Sequence, residues 1–104
     1  SNQVAVISDP TLKQLSADRM NTAESNLADL KTSMDKARAA YTPLARDLKD
    51  VGTYLGNNLT ADGITAMKPR LDTIKLEAVG VRDSLSSVAQ SLNQFSTTLA
   101  PSAK

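Results

Sequence analysis

The sequence predicts an all-α fold, a long antiparallel two-helix hairpin of coiled-coil type, and three observations carry that prediction. Apolar residues recur at alternating spacings of three and four from Met20 through Ala23, Leu27, Leu30, Met34, Ala37, Tyr41, Leu44, Leu48 and Val51 to Leu55. A second ladder with the same spacing runs from Ile64 through Met67, Leu71, Ile74, Ala78, Val81, Leu85, Val88, Leu92 and Phe95 to Leu99. Such spacing keeps one stripe of a helix facing a neighbour along its whole length. Between the ladders lies Gly56-Asn57-Asn58, a turn-forming run, and helices joined by so short a connection must be antiparallel neighbours.

Residues 1–9 read as an N-terminal extension containing the short apolar run Val4-Ala5-Val6-Ile7, residues 10–100 as the hairpin domain and residues 101–104 as a tail. Asp9-Pro10 is a helix start, a side-chain acceptor followed by the residue best tolerated at the first helical position. Leu12 and Leu15 lie out of phase with the ladder, so the seam proper begins near Met20. The first helix is expected to run over about residues 10–56, with Gly56 as its C-cap and the asparagines supplying left-handed backbone angles in the turn. Thr60 then caps a second helix over about residues 60–99, and Pro101 stops it.

Pro43 and Pro69 predict kinks, because each removes a backbone donor and clashes one turn back. Both fall off the ladder, and Pro69 can alternatively mark a break after a short helix from Thr60 to Met67. The flanks, Asn26, Ser33, Ala40, Asp47 and Tyr54 among them on the first helix and Ser84, Ser91 and Thr98 on the second, are polar or small. The sequence therefore predicts a narrow seam with one neighbour for each helix. Register stays open between pairing Leu55 with Met67 and pairing Val51 with Ile64. A single hairpin buries a thin core, so extra burial is expected at Leu76, Val79, Tyr54 and Val4 to Ile7, against the N-terminal segment, a second copy or a protein partner.

Composition removes most chemistry. The 104 residues contain no cysteine and no histidine, hence no disulfide, no thiolate, no usual general base and no common zinc site. With only Tyr41, Tyr54 and Phe95 as aromatics, a deep ligand pocket is not expected. A net charge of +1 without a block of one sign gives no field for nucleic acid. No run approaches the roughly 18 apolar residues that cross a bilayer, and the narrow stripe argues against lying on a membrane surface. Membrane contact is expected only through an anchor already removed; a chain starting at Ser1 fits a processed end as well as an arbitrary boundary.

Two motifs yield to plainer readings. Asn58-Leu59-Thr60 fits the glycosylation pattern, yet both polar residues are already needed for the turn and cap. Asp47 and Asp50 share a helix face as an acid–base pair would, but Arg46 and Lys49 stand among them and a solvated face is the simpler account. Lys68 with Asp72 is an ordinary one-turn ion pair. No catalytic, cofactor-binding or metal-ligating residue is assigned, and no cofactor or small-molecule substrate is expected. The interaction candidates are Tyr54, Asn57, Asn58 and Leu59 at the tip and Leu76 and Val79 on the side.

Pro43, Leu48, Lys49, Asp50, Tyr54, Leu55, Asn58, Leu59 and Ile64 follow the order and spacing of an uncharacterised bacterial helical family, domain of unknown function 2959, which the chain resembles from Pro43 onward. The likeness continues in phase through Leu71, Ile74, Leu85 and Phe95, over about half of the chain. Gly56-Asn57 departs from the Lys-His common in that family. The resemblance implies a long helical protein of the bacterial periplasm or cell envelope and transfers no catalytic residue. Tyr54-Leu55-Gly56 also looks like a variant of the turn in small secreted helical hairpins of the Trp-x-Gly type, exported by a dedicated secretion system. The leading expectation is a non-enzymatic structural or protein-interaction module that self-associates, with the secreted hairpin as the alternative.

Overall fold

The computed structural model describes residues 9–99, two helices lying antiparallel in a rod of 82 × 23 × 17 Å. Helix α1 is Pro10–Asn57 and helix α2 is Ala61–Leu99; no strand occurs among the described residues. The all-α hairpin expected from the two ladders is the fold. The Val4 to Ile7 run and the tail from Pro101 lie outside the described residues. At about 1.5 Å per residue α1 is roughly 72 Å long and α2 roughly 58 Å. The opening turns of α1, residues 10–22, are exposed throughout.

Asp9 starts α1 as its composition predicts. Its backbone is extended and its carboxylate accepts from the Thr11 amide at 2.7 Å and the Leu12 amide at 3.4 Å, with Pro10 in the first turn where its missing donor loses nothing. The other end differs from expectation. Gly56 stays helical, and no described residue has a positive φ, so neither a glycine nor an asparagine supplies a left-handed cap. The asparagines act through their side chains instead: Asn57 Nδ2 donates to Thr53 O at 3.2 Å and Asn58 Nδ2 to Tyr54 O at 2.9 Å, the second at one of the last four carbonyls of the helix.

Thr60 opens α2, its hydroxyl accepting from the Gly63 amide at 3.0 Å and its carbonyl from the Ile64 amide at 2.9 Å. Gly63 is buried here because the Asn58 carbonyl oxygen occupies the place a Cβ would take. The turn therefore closes on a glycine that looks in the sequence like one more small flanking residue. Both helices run unbroken through their prolines, so Pro69 does not end a short helix. Pro69 is exposed and Pro43 half-buried beside the seam.

Leu44, Val51 and Ile74 form the core, with Leu55, Met67, Leu71 and Val81 packed around them at the tip half of the rod. Leu55 and Met67 both pack on this cluster, and the cross-helix bonds of Asn26 with Thr98 and Ser33 with Ser91 lie close to the first of the two registers the ladders permit. Toward the open end the buried residues shrink to Leu30, Ala37 and Ala23. Packing is tightest near the turn.

Gly63→Ala is expected to destabilise the hairpin by about 1–3 kcal/mol, the usual effect of overpacking against backbone. Gly80→Ala, at a helical position with nothing within 4 Å of its Cβ, is expected to stabilise by about 0.5–1 kcal/mol. Thermal melts followed by circular dichroism at 222 nm would separate the two; equal melting temperatures would refute this account of the turn.

Candidate interaction surface

Half of each apolar ladder is not in the seam. On α1 the side chains turned to α2 are Ala23, Leu30, Ala37, Leu44 and Val51 together with Asn26, Ser33, Ala40, Asp47 and Tyr54. Alternate ladder members Met20, Leu27, Met34, Tyr41 and Leu48 are exposed. Helix α2 does the same: Ile74, Val81, Val88 and Phe95 turn inward with Glu77, Ser84, Ser91 and Thr98, while Ile64, Ala78, Leu85, Leu92 and Leu99 stay out. The expectation that each ladder as a whole forms the seam is thus corrected.

Hydrogen bonds across the helices show why. Asn26 Nδ2 donates to Thr98 Oγ1 at 2.6 Å and to the Gln94 carbonyl at 3.4 Å, and the Ser33 and Ser91 hydroxyls lie 2.9 Å apart. Stepping one heptad at a time, the same register sets Ala40 opposite Ser84, Asp47 opposite Glu77 and Tyr54 opposite Arg70. Small hydroxyl and amide side chains let the backbones approach and find partners there. A polar row thus faces a polar row on one side of the contact, and an apolar row faces an apolar row on the other.

Geometry then places the excluded residues. With about 100° per residue, a position four after the inner apolar row lies about 40° to one side of it and the polar row about 60° to the other. In an antiparallel pair the two outer rows therefore fall on the same side of the hairpin. The result is an apolar face along α2, its large outer side chains between 36% and 61% exposed except Leu71, which is half-buried against the core. An open groove of about 440 Å³ between Leu71, Ile74, Lys68, Lys75 and Asp72 is one stretch of it. Just outside the apolar rows sit Lys31 and Arg38 on α1 and Lys68, Lys75 and Arg82 on α2, all exposed, with Glu24 as the acidic member.

The candidates named from the sequence lie elsewhere. Leu76 is 75% exposed and, with Val79, projects from the outer edge of α2, away from the apolar rows. Leu59, 79% exposed, is the free residue of the tip. Asn57 and Asn58 are occupied with capping, which with the Thr60 cap also accounts for the glycosylation pattern. Tyr54 is half-buried in the polar row beside Asp50, Val51, Met67 and Arg70, which line a second open groove of about 250 Å³. Tyr54-Leu55-Gly56 belongs to the last turns of α1 and not to the loop.

The acidic residues are arranged otherwise than as Asp47 with Asp50. Asp47 faces Glu77 across the seam, and one Glu77 carboxylate oxygen, shielded from solvent, finds no donor on the protein. Hydrogen bonding with Asp47 raises the Glu77 pKa above its ordinary value of 4.5, desolvation and the Asp47 charge raise it further, and Arg46 and Arg70 pull it back. On the outer faces Asp72 meets Lys75 at 4.0 Å, and not Lys68, while Arg82 lies 3.6 Å from Asp83; both pairs are solvated. Among the described residues no group of three or more acidic side chains is placed to hold a metal ion, and no helix is long and apolar enough to cross a membrane.

Fold and surface together define a rod-shaped helical-hairpin protein with one polar flank and one uncovered apolar flank. The family model described as a protein of unknown function (DUF2959) matches residues 1–99. The chain belongs to that family, and the likeness reaches well beyond the half from Pro43 onward in which it is visible by eye. No curated protein and no solved structure gives a significant match.

Because the Glu77 pKa is raised in the folded state, its contribution to stability is fully present below 4.5 and is lost as pH rises through the folded value. Glu77→Gln keeps the hydrogen-bonding shape without the charge. The melting temperature of this variant relative to wild type is expected to climb between about pH 4 and pH 7; a pH-independent difference would show that Asp47 and Glu77 do not interact.

Proposed function

We propose that this protein is a non-enzymatic structural or protein-interaction module of the bacterial cell envelope that works by self-association. The observation that carries the reading is the apolar face: two helices cannot cover it themselves, and an exposed patch of this kind marks an interaction site. The absence of histidine and cysteine from the sequence supports a role without catalysis, as does the position of the strongest acidic pair, inside the seam and flanked by arginines. Small-molecule substrates and nucleic acid are not part of the reading. The envelope assignment rests on the family resemblance alone. The secreted-hairpin alternative gains no support from Tyr54-Leu55-Gly56, which is helical.

The test is mass in solution. Light scattering coupled to size exclusion at micromolar concentration is expected to give a multiple of 11.0 kDa. A monodisperse monomer across the accessible concentration range would overturn self-association.

A further inference from the structure

The direction in which each helix points its apolar surface identifies what covers it. The middle of each apolar ladder lies about 20° to one side of the inner apolar row, and the middle of the observed contact about 30° to the other, so the two differ by about 50°. A helix with one partner aims its apolar middle at that partner. In a square bundle of four, each helix aims it at the bundle axis, about 45° away from the direction of either neighbour. Both helices here have the second orientation, and in the same sense, so the hairpin has the form of half a four-helix bundle.

Building on the self-association reading, we propose that the missing half is a second copy, the two hairpins stacking face to face and pointing the same way, with α1 of each on α2 of the other. The area suffices. Nine large side chains of the outer rows, each about half exposed, present on the order of 800 Å² of largely apolar surface, what one partner contributes to a stable interface.

The edges match as well. On α1 the rim beside the outer row is charged toward the open end, at Lys31 and Arg38, and small toward the tip, at Ala45 and Gly52. On α2 the order is reversed: Lys68, Lys75 and Arg82 stand toward the tip, Ala89 and Ser96 toward the open end. Stacked in the same direction, Lys31 falls between Ala89 and Ser96 of the other copy and Ala45 and Gly52 fall within its Lys68 to Arg82 stretch, so that Arg38, between Ala89 and Arg82, is the one basic residue near a like charge, about 6 Å along the rod. An anionic membrane surface would accept the basic rim but gives no reason for the staggered small residues or for the 50° rotation.

Three measurements on the full chain test this. First, Leu27→Glu with Leu85→Glu is expected to convert the wild-type dimer to monomer, while Leu76→Glu, on the opposite edge, leaves the dimer intact. Second, at the exposed rim position Ala89, where folding is insensitive to the side chain, Ala89→Lys should raise the dimer dissociation constant about threefold to tenfold at low salt and Ala89→Glu should lower it, both effects fading at high salt. This series remains decisive if the double variant fails to fold. Third, the chain has no cysteine, so Leu59→Cys carries a single spin label. Same-direction stacking puts the two labels within about 30 Å, given helices packed about 10 Å apart, and opposite stacking separates them by most of the rod.

A wild-type monomer overturns self-association itself. A dimer indifferent to Leu27, Leu85 and Ala89, or with distant tips, overturns only this arrangement. A monomer that floats with phosphatidylglycerol vesicles, and loses flotation in Leu27→Glu with Leu85→Glu, assigns the face to a membrane and refutes the proposal.

Discussion

The polar row inside the seam is the constraint on which the rest of this structure depends. Asn26 with Thr98 and Ser33 with Ser91 bond side chain to side chain, and each such contact holds only at one rotation of the two helices about their axes. Each bond contributes on the order of 1 kcal/mol net. Rotation matters more than that sum. By taking the polar row as one edge of the contact, the helices leave Leu27, Met34, Leu85 and Leu92 on the outside, where they face water in the isolated hairpin. Turning both helices inward by about 50° would bury those leucines but break every cross-seam hydrogen bond and force the backbones apart around larger side chains.

That balance explains how thin the hairpin is along its outer half. Around Leu44, Val51 and Ile74 the core has full-sized side chains from both helices. From Ala37 to Ala23 the buried residues of α1 are alanines on either side of Leu30, and the row beside them is polar, Asn26 bonding Thr98 and Ser33 bonding Ser91. Small residues make a close contact and bury little surface. The open half consequently depends more on whatever covers the apolar face than the tip half does, and a gradient of local stability from turn to open end follows from the sequence of side chains alone.

The helix boundaries are legible in the sequence because the devices that set them are local. Asp9-Pro10 acts within one turn, and so does Thr60. The cap at Asn57 and Asn58 is legible as a turn but not in its mechanism, since asparagine can serve through a left-handed backbone or through its amide, and only the backbone angles tell which. Gly63 is not legible, because its role depends on a carbonyl brought close by the turn. The rotation of the helices escapes for a different reason. A stripe made of inner and outer apolar rows has the same alternation of three and four as a stripe made of inner apolar and polar rows, so spacing alone cannot say which faces the neighbour. The signal that could have told them apart is the match of hydroxyl and amide residues on both helices: Asn26 and Ser33 on one, Ser91 and Thr98 on the other.

The Asp47–Glu77 layer shows how local choices are ranked. Sliding one helix past the other by a heptad would set Asp47 opposite Arg70, an attractive pair, and keep hydroxyl facing hydroxyl elsewhere in the polar row. The observed register instead puts carboxyl against carboxyl, and it is the one in which Gly63 seats against Asn58 and the apolar cluster closes around Val51. Packing at the turn therefore outweighs charge at mid-rod. Half-exposed charges interact through a high effective dielectric and are softened further by Arg46 and Arg70, whereas a clash with backbone has no such relief. The raised pKa of Glu77 is the remaining adjustment, and it makes the strength of this mid-rod layer depend on pH.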